Sequence, residues 1–327
     1  MDRVGMMRVL TGYMPARALG VAAELRIPDA LCAGPLTLEE LAERTGTQPA
    51  ALARLLRAIA GLGVVESDGD RWALGPAGDL LLDGPGTLYG LAVSHTTEML
   101  RAWVDLDRAI RSGDPSFDDA YGMPYFTYLA TRPERSDQFN AAMAAIMEHA
   151  IAPLLALDWS ATDSVIDVGG GTGALLAGLL ARQPHLRGTV FDQPHVTERT
   201  CAALAGSPLA DRLDAAGGDM FDEIPSGADT YVLAQVLHDW EDEDALRILA
   251  AIRRVIPPGG RLVLLELVLA DDGRDHLANW VDLHMLAVIG GRERTEPAWR
   301  ALLSTAGFFL AAVHTGPRSC ALVALPA

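Results

Sequence analysis

The feature that most constrains the fold is a glycine-rich turn between an apolar segment and a helix-forming segment. Residues 165–174 read Val-Ile-Asp-Val-Gly-Gly-Gly-Thr-Gly-Ala. Glycine lets the backbone approach a bound molecule closely, and free amides at the start of a helix can donate hydrogen bonds to it. The segment is therefore typical of a strand, a cofactor-binding loop and a helix in an α/β protein.

The C-terminal half of the chain continues this pattern. Short apolar segments alternate with helical periodicity, which favours an open, mostly parallel sheet covered by helices. The predicted strands are residues 164–168, 188–192, 212–217, 230–233 and 261–267.

The N-terminal segment has a different pattern. Residues 9–31 are helical in periodicity, and Thr37 with Glu40 forms a capping box before a short helix. A second amphipathic helix follows at residues 49–59, and an Asp-Gly turn at Asp68 joins two short strands. We predict a mainly α-helical winged-helix domain at residues 1–95. Linker helices and the α/β domain would occupy residues 96–327.

Charge and cysteine content exclude several classes of protein. The chain of 327 residues has a formal net charge of −17, which opposes binding to a polyanion. Arg54 and Arg57 are the only basic residues on the second helix of the predicted winged helix, so dimerisation or substrate covering is favoured over DNA binding. The cysteines, Cys32, Cys201 and Cys320, form no zinc or disulfide motif. We expect no nucleic-acid partner.

The hydropathy pattern also argues against a membrane protein. No run of about 18 apolar residues is present. The first residues, Met1–Gly5, lack the basic and apolar regions of a secretory signal. We expect a cytoplasmic protein with no membrane partner.

The glycine turn alone leaves the cofactor open. Gly169, Gly171 and Ala174 also fit the looser dinucleotide pattern, and Asp192, at the end of the second strand, could bind ribose hydroxyls of either cofactor class. Asp167 favours a cationic amino-acid cofactor, because a carboxylate before the glycines can orient an amino group but fits poorly beside a pyrophosphate.

Two further strand ends carry candidate site residues. Asp219 and Met220 follow the third strand and could border an adenine, although Asp219 could equally cap a turn. His238 follows the fourth strand, where an imidazole of pKa about 6.5 could take a proton from a phenol of pKa about 10. It could also be an ordinary polar residue.

Taken together, the motifs resemble the caffeate-type small-molecule O-methyltransferases, a family that includes bacterial enzymes tailoring polyketides. The resemblance covers nearly the whole chain and rests on motifs in family order. These are the glycine turn, Gly218–Phe221, Leu237–Trp240 and Gly290–Thr295. It implies a Rossmann-like methyltransferase domain with a mostly parallel seven-stranded sheet, and a homodimer through the winged-helix domain.

The resemblance also implies roles for individual residues. His238 matches the family's general base, and Glu266 and Glu293 match the two carboxylates beside it. The residues predicted to bind S-adenosylmethionine are Asp167, Gly169, Gly171, Asp192, Asp219 and Met220. Of these, Gly169, Asp192, Asp219 and Met220 match the family's cofactor contacts. The residues implied to contact a small aromatic, phenolic acceptor are Met143, Asp239 and Met285.

The expected reaction yields a methyl ether and S-adenosylhomocysteine without a metal ion. Ala234 replaces a lysine of the plant members, and one residue is missing before Gly290, so acceptor geometry does not carry over from plants. Three alternatives stay open: N-methylation or a non-methylating reaction within the family, a nicotinamide-dependent oxidoreductase, and a non-catalytic winged-helix regulator. On sequence alone, both methionines would also fit a hydrophobic core.

Overall fold

The computed structural model describes the chain except for residues 271, 273, 275 and 276. The described residues form two compact units. The first comprises Met1–Val104 and Thr127–Ala145, and the second comprises Asp105–Phe126 and Ile146–Ala327. The domain boundary at residue 95 stays a prediction, because compactness alone does not define a segment that folds independently.

The first unit combines short helices with a small antiparallel sheet. Its helices are α1 (Arg3–Leu10), α2 (Tyr13–Glu24), α3 (Ile27–Leu31), α4 (Leu38–Thr45), α5 (Pro49–Ala60), α6 (Tyr89–Thr96) and α7 (Glu98–Val104). Its strands are β1 (Leu36–Thr37), β2 (Val65–Asp68) and β3 (Arg71–Leu74), in the order β1-β3-β2. Helices α4 and α5 followed by the β2–β3 hairpin confirm the predicted winged helix.

Local signals in the sequence explain how α4 begins and ends. The backbone amide of Glu40 donates to Thr37 Oγ1 at 3.2 Å, and the amide of Thr37 donates to Glu40 Oε2 at 2.8 Å. This reciprocal pair is the predicted capping box. Gly46 ends the helix with φ of 64°, a conformation that glycine adopts without steric cost.

The second unit contains the predicted α/β architecture. Its helices include α8 (Leu106–Ser112), α9 (Ser116–Tyr121), α12 (Ala152–Leu155), α13 (Ala174–Arg182), α14 (Pro194–Leu204), α15 (Asp242–Val255), α16 (Leu277–Val288) and α17 (Glu296–Thr305). Helices α10 (Tyr125–Ala130) and α11 (Pro133–Ala150) each contribute residues to both units.

Most of its strands belong to one sheet. The strands are β4 (Ser164–Val168), β5 (Arg187–Asp192), β6 (Leu213–Gly217), β7 (Thr230–Ala234), β8 (Arg261–Glu266), β9 (Val268–Leu269), β10 (Arg294–Thr295), β11 (Phe308–Thr315) and β12 (Cys320–Pro326). The seven-stranded sheet has the order β11-β12-β8-β7-β4-β5-β6. Strands β4 to β8 pair in parallel, whereas β12 pairs with β8 and β11 in antiparallel fashion. The mostly parallel sheet expected from the family resemblance is confirmed.

The strand order indicates where a ligand would bind, at the carboxyl ends of the strands. The chain passes from β4 outward through β5 and β6, then returns to β7 on the opposite side of β4. Open α/β sheets bind ligands at such a reversal, outside the carboxyl ends of the strands. The strands carry buried apolar side chains that belong to two hydrophobic clusters. Val168 and Leu264 lie in one cluster, and Val165 and Val263 lie in the other.

The helical segment that leads into β4 is interrupted. Helix α11 begins at Pro133, where proline's missing N–H and fixed φ suit a first turn. It ends at Ala150, and α12 begins at Ala152 with Pro153 in its first turn. Within the described part of the chain, no helix is long and apolar enough to cross a bilayer.

Candidate active site

The glycine turn follows β4 and leads into α13, as its sequence predicts. Gly169 and Gly171 have φ of 76° and 54°, which side chains with a Cβ rarely adopt. A Cβ on Gly169 would lie 2.8 Å from Val236, whereas one on Gly171 would project into open space. The turn thus packs on one side and leaves its backbone accessible on the other, as a cofactor loop requires.

Asp167 lies just before this turn and is 1% exposed. Its Oδ1 atom has no hydrogen-bond partner among the described residues. Burial, aided by the negative charge of Asp192, raises the pKa of Asp167 to about 7. A buried carboxylate with an unsatisfied oxygen costs free energy unless a donor occupies the site, so a cationic amino group would suit it.

Asp192 and Asp219 also lie at the carboxyl ends of strands. Asp192 accepts hydrogen bonds from the amides of Gly171 at 2.8 Å and Gln193 at 2.7 Å. Burial nevertheless raises its pKa. Asp219 accepts from the amide of Phe221 at 2.9 Å, so the turn-capping interpretation is observed. Met220, beside it, is half-buried and packs against the core of the second unit.

His238 lies in a 3₁₀ turn, Leu237–Asp239, that is separated from the end of β7 by two residues. It is 7% exposed, and its Nδ1 atom lies 2.7 Å from Glu293 Oε1. Oε2 of Glu266 lies 3.8 Å from the same nitrogen. On the other side of the ring, Nε2 lies 3.4 Å from Asp239 Oδ1. The structure therefore brings together both carboxylates that the resemblance placed beside this histidine.

The fold explains how two distant glutamates meet the imidazole. Glu266 is the last residue of β8, which is adjacent to β7, and its Oε1 accepts from the amide of Leu237 at 3.0 Å. Glu293 precedes β10, which pairs in parallel with β9, the strand that follows Glu266. The amide of Glu293 also donates to Asp282 Oδ1 at 2.8 Å, which fixes this segment to α16.

Electrostatics within this cluster favour a charged imidazole. Burial alone lowers the pKa of His238, but the charges of Glu293, Asp239 and Glu266 outweigh it and raise the pKa to about 10. Burial raises the pKa of Glu266 to about 8 and that of Asp239 to about 6. A neutral Glu266 would stabilise the imidazolium less than a charged one. Glu293, which is closer, therefore has the dominant influence on the protonation of His238.

The same side chains have a spacing compatible with a metal ion. One ligand atom each from His238, Glu266 and Glu293 lies within 4.8 Å of the others. The 2.7 Å separation of Nδ1 and Oε1 is, however, the length of a charge-assisted hydrogen bond. Backbone amides also donate to Oε1 of Glu266. We interpret the cluster as a hydrogen-bonded group that orients the imidazole.

The two methionines predicted to contact the acceptor lie in different units. Met285 is on α16 in the second unit and is 6% exposed. Met143 is on α11 in the first unit and is half-buried. Their role in acceptor binding stays a prediction.

Sequence reasoning missed two features of the site. Trp240 stacks on Phe126 with ring centroids 6.1 Å apart, and it meets the ring of Phe221 edge-on at 4.8 Å. Arg294, which is 3% exposed, contacts the backbone around His238. Trp240 follows the His-Asp pair directly and could have been singled out, whereas the buried state of Arg294 depends on tertiary contacts.

Comparisons with known proteins decide the family. Residues 103–309 match the O-methyltransferase domain, and residues 7–84 match the O-methyltransferase dimerisation domain. The chain is 39% identical over 308 residues to a phenazine O-methyltransferase of Lysobacter antibioticus, covering 93% of this chain and 90% of the relative. The chain belongs to the O-methyltransferase family. Solved relatives contain S-adenosylmethionine or S-adenosylhomocysteine, so the cofactor of this methyltransferase family is S-adenosylmethionine and the nicotinamide-dependent oxidoreductase is set aside.

Solved structures agree with this assignment. An O-methyltransferase from neocarzinostatin biosynthesis, in complex with S-adenosylhomocysteine and 1,4-dihydroxy-2-naphthoic acid, superposes with a TM-score of 0.85 at 30% identity and full coverage of both chains. The family also contains other activities. Aclacinomycin 10-hydroxylase of Streptomyces purpurascens is 39% identical to this chain over 331 residues, covering 95% of this chain and 85% of the relative.

Proposed function

We propose that this family member methylates a phenolic hydroxyl of a small aromatic secondary metabolite and that His238 is the general base. The observation that carries the proposal is the anchoring of His238 Nδ1 by Glu293 at 2.7 Å. That hydrogen bond fixes the ring and leaves Nε2 as the nitrogen that can accept a proton from an acceptor.

Residues around the glycine turn would hold the cofactor. S-adenosylmethionine supplies an electrophilic methyl group when it is bound. Asp167 would pair with its amino group, and Asp192 would accept hydrogen bonds from its ribose hydroxyls. Backbone at Gly169 and Gly171 would approach it closely. Asp219 and Met220 would border the adenine.

Proton transfer would involve His238 and its carboxylates. His238 Nε2 would take the proton of the acceptor hydroxyl, and Glu293 would stabilise the resulting imidazolium. The raised pKa of His238, about 10, is close to that of a phenol, about 10. A deprotonated His238 would therefore take the proton of a phenol at little cost in free energy, and the fraction of deprotonated His238 increases as the pH rises towards about 10.

Asp239 would contact the acceptor beside the base. Its Oδ1 lies 3.4 Å from His238 Nε2, so a hydroxyl donated to the histidine would lie near this carboxylate as well. Positioning would supply much of the rate, because methyl transfer requires the attacking oxygen to align with the bond that breaks. Met143 and Met285 would pack against the aromatic ring of the acceptor.

An exposed apolar surface on the first unit supports the proposal that the protein forms a homodimer. Large apolar side chains are exposed along α1 and the start of α2, with relative exposures of 58% for Val4, 59% for Met7, 69% for Leu10 and 59% for Tyr13. Exposed apolar residues grouped on one element favour a protein interface. They fall largely within the match to the dimerisation domain. The absence of a nucleic-acid partner and a cytoplasmic location stay predictions from charge and hydropathy.

The decisive experiment compares the wild type with His238→Ala. A matched control is His314→Ala, which truncates an exposed histidine on β11. Calorimetric titration with S-adenosylmethionine is followed by transfer of radiolabelled methyl to hydroxylated phenazines, naphthoates, benzoates and indoles. We expect all three proteins to bind the cofactor and only His238→Ala to lose transfer, by roughly a hundredfold or more.

Other outcomes would change the proposal. Unreduced transfer by His238→Ala would show that positioning alone supports catalysis without this base. Label found only on amino groups would favour N-methylation. A wild type that binds no cofactor while folded would remove the basis of the whole proposal.

A further inference from the structure

Arg294 is a charged side chain in an unusual environment. Its side chain is 2% exposed, and charged residues are rarely so buried unless every charge and donor is matched. It belongs to β10 and directly follows Glu293, the partner of the imidazole. Adjacent residues in extended backbone point in opposite directions, so the two side chains reach different parts of the same neighbourhood.

The guanidinium spans the segment that carries His238. We call residues 237–242 the His238 turn. Arg294 Nη1 donates to the carbonyl of Leu237 at 2.9 Å, and Nη2 donates to that of Trp240 at 2.8 Å. Nε and Nη2 also donate to Asp242 Oδ1 at 3.0 and 2.8 Å. Arg294 thus bonds to residues on both sides of His238.

The backbone preceding Arg294 contacts the same turn. The amide of Arg292 donates to the carbonyl of His238 at 2.8 Å. A Cβ on Gly291 would lie 2.0 Å from that carbonyl oxygen, so only glycine permits this approach. Residues 291–294 therefore fit around the His238 turn, and the same segment supplies the carboxylate of Glu293.

We propose that Arg294 is a positioning residue for the reaction: its hydrogen bonds hold the His238 turn at the distance at which Glu293 can orient the imidazole. The inference rests on the proposed role of His238 as the base. Arg294 itself does not touch the reacting atoms. It acts by joining two segments that meet only through tertiary structure.

Arginine is required for this role because of its shape. The planar guanidinium directs several N–H groups at fixed angles, and here they reach two carbonyls and one carboxylate together. Lysine carries the same charge on a single flexible ammonium and cannot reproduce that pattern. The guanidinium carbon lies 5.0 Å from the centroid of the Trp299 ring, which packs against one side of the group.

The test measures the pKa of the His238 imidazole by NMR in protein labelled with ¹⁵N-histidine, with the signals assigned by their loss in His238→Ala. The variants are Arg294→Lys and Arg294→Met. The control is Arg253→Met, because Arg253 also donates to backbone carbonyls, those of Gly307 and Ala327, away from the His238 turn. This readout requires no knowledge of the acceptor.

The direction of the change separates positioning from a simple charge effect. Loss of the hydrogen bonds would loosen the contact between Glu293 and the imidazole, so we expect the pKa of His238 to fall by roughly one pH unit or more in both Arg294 variants. Removal of a nearby cation, without movement, would instead raise that pKa in Arg294→Met and leave it unchanged in Arg294→Lys. Arg253→Met should lower the Tm without moving the pKa of His238.

A pKa of His238 that stays within about half a pH unit of the wild type in Arg294→Lys would overturn the proposal, as would a rise in Arg294→Met. If Arg294→Met does not fold, the pKa of His238 in Arg294→Lys is sufficient to test the proposal. The role of His238 as base is tested separately by methyl transfer in His238→Ala. Failure of that proposal would leave the NMR result for Arg294 intact, so the two failures are distinguishable.

Discussion

Nδ1 of His238 and Oε1 of Glu293 lie 2.7 Å apart although 55 residues separate them in the chain. The contact is buried, because His238 is 7% exposed and Glu293 is 3% exposed. Charge-assisted hydrogen bonds of this length are among the stronger ones in proteins, and burial protects this one from screening by salt. The geometry fixes which ring nitrogen is available to a substrate.

The pH dependence of catalysis should report this contact. In the wild type, the base must be deprotonated, so kcat/KM should rise with pH towards the raised pKa of His238, about 10. Glu293→Gln removes the nearest negative charge and should move the rising limb of the profile to lower pH. It should also reduce kcat by roughly tenfold to a hundredfold.

Glu266→Gln is the matched control for this profile, because Glu266 is farther from Nδ1, at 3.8 Å. Its effect on the profile should have the same direction and be smaller. The measurement is a pH series of initial rates with an acceptor found in the screen. A profile that Glu293→Gln leaves unmoved would contradict the interpretation of the carboxylate.

Cofactor binding should be linked to the protonation of Asp167. Its pKa is raised to about 7 in the free protein, and a cation placed beside it would lower that pKa. Binding should therefore release a proton, and affinity should increase as the pH rises through the window from about 4 to about 7. Calorimetry in buffers of different ionisation enthalpy measures the released proton directly.

Asp167→Asn should weaken S-adenosylmethionine binding by about tenfold to a hundredfold near neutral pH and remove the linked proton release. Asp214→Asn, which changes an exposed aspartate on β6, serves as the control and should retain both properties. Proton release that persists in Asp167→Asn would assign the linkage to a different group.

Substitution of Gly291 should damage the site through packing. In Gly291→Ala, the added Cβ would meet the carbonyl oxygen of His238 at 2.0 Å and the carbonyl carbon of Asp239 at 2.5 Å. Backbone must move to relieve the clash, so we expect a loss of stability of about 1–3 kcal/mol or more and a lower kcat.

The control for this variant is Gly259→Ala, where a Cβ would have open space around it. Thermal unfolding and methyl-transfer rates of the two variants give the comparison. If Gly291→Ala kept the stability and activity of the wild type, the backbone around residue 291 would have to shift easily enough to accommodate a Cβ beside the carbonyl of His238.

The exposed apolar surface of α1 should control association. Leu10→Glu places a charge on a side chain that is 69% exposed, so it should disturb the proposed interface rather than the fold of one chain. Analytical ultracentrifugation should find a dimer for the wild type and weakened association for the variant. Ile110→Glu, at a residue that is 60% exposed on α8 and outside the dimerisation match, should remain dimeric.

Features with local causes could be predicted from the sequence. The capping box at Thr37 and the glycine turn after β4 depend on hydrogen bonds and backbone angles within a few residues. The alternation of apolar segments also placed the parallel strands correctly. His238 could be selected because it lies in the turn that follows a predicted strand, at the end of the sheet where ligands bind in such folds.

Features that depend on distant contacts could not be found from residue patterns. Glu266 and Glu293 entered as candidates through family resemblance, and no pattern in the sequence indicated that both would meet the imidazole. The antiparallel strands β11 and β12 did not emerge from the pattern of alternating strands and helices either. Arg294 was overlooked because its sequence context does not show that it is buried.

The sequence by itself determined the winged helix, the parallel strands, the cofactor loop and the order in which candidate residues reach the carboxyl ends of those strands. Tertiary structure alone decided which nitrogen of His238 contacts Glu293 and that Arg294 bonds to the His238 turn. It also decided that Oδ1 of Asp167 has no hydrogen-bond partner among the described residues. The physical reason is that turns and caps are stabilised by neighbours in the chain, whereas the protonation and orientation of a buried group depend on all charges and donors around it.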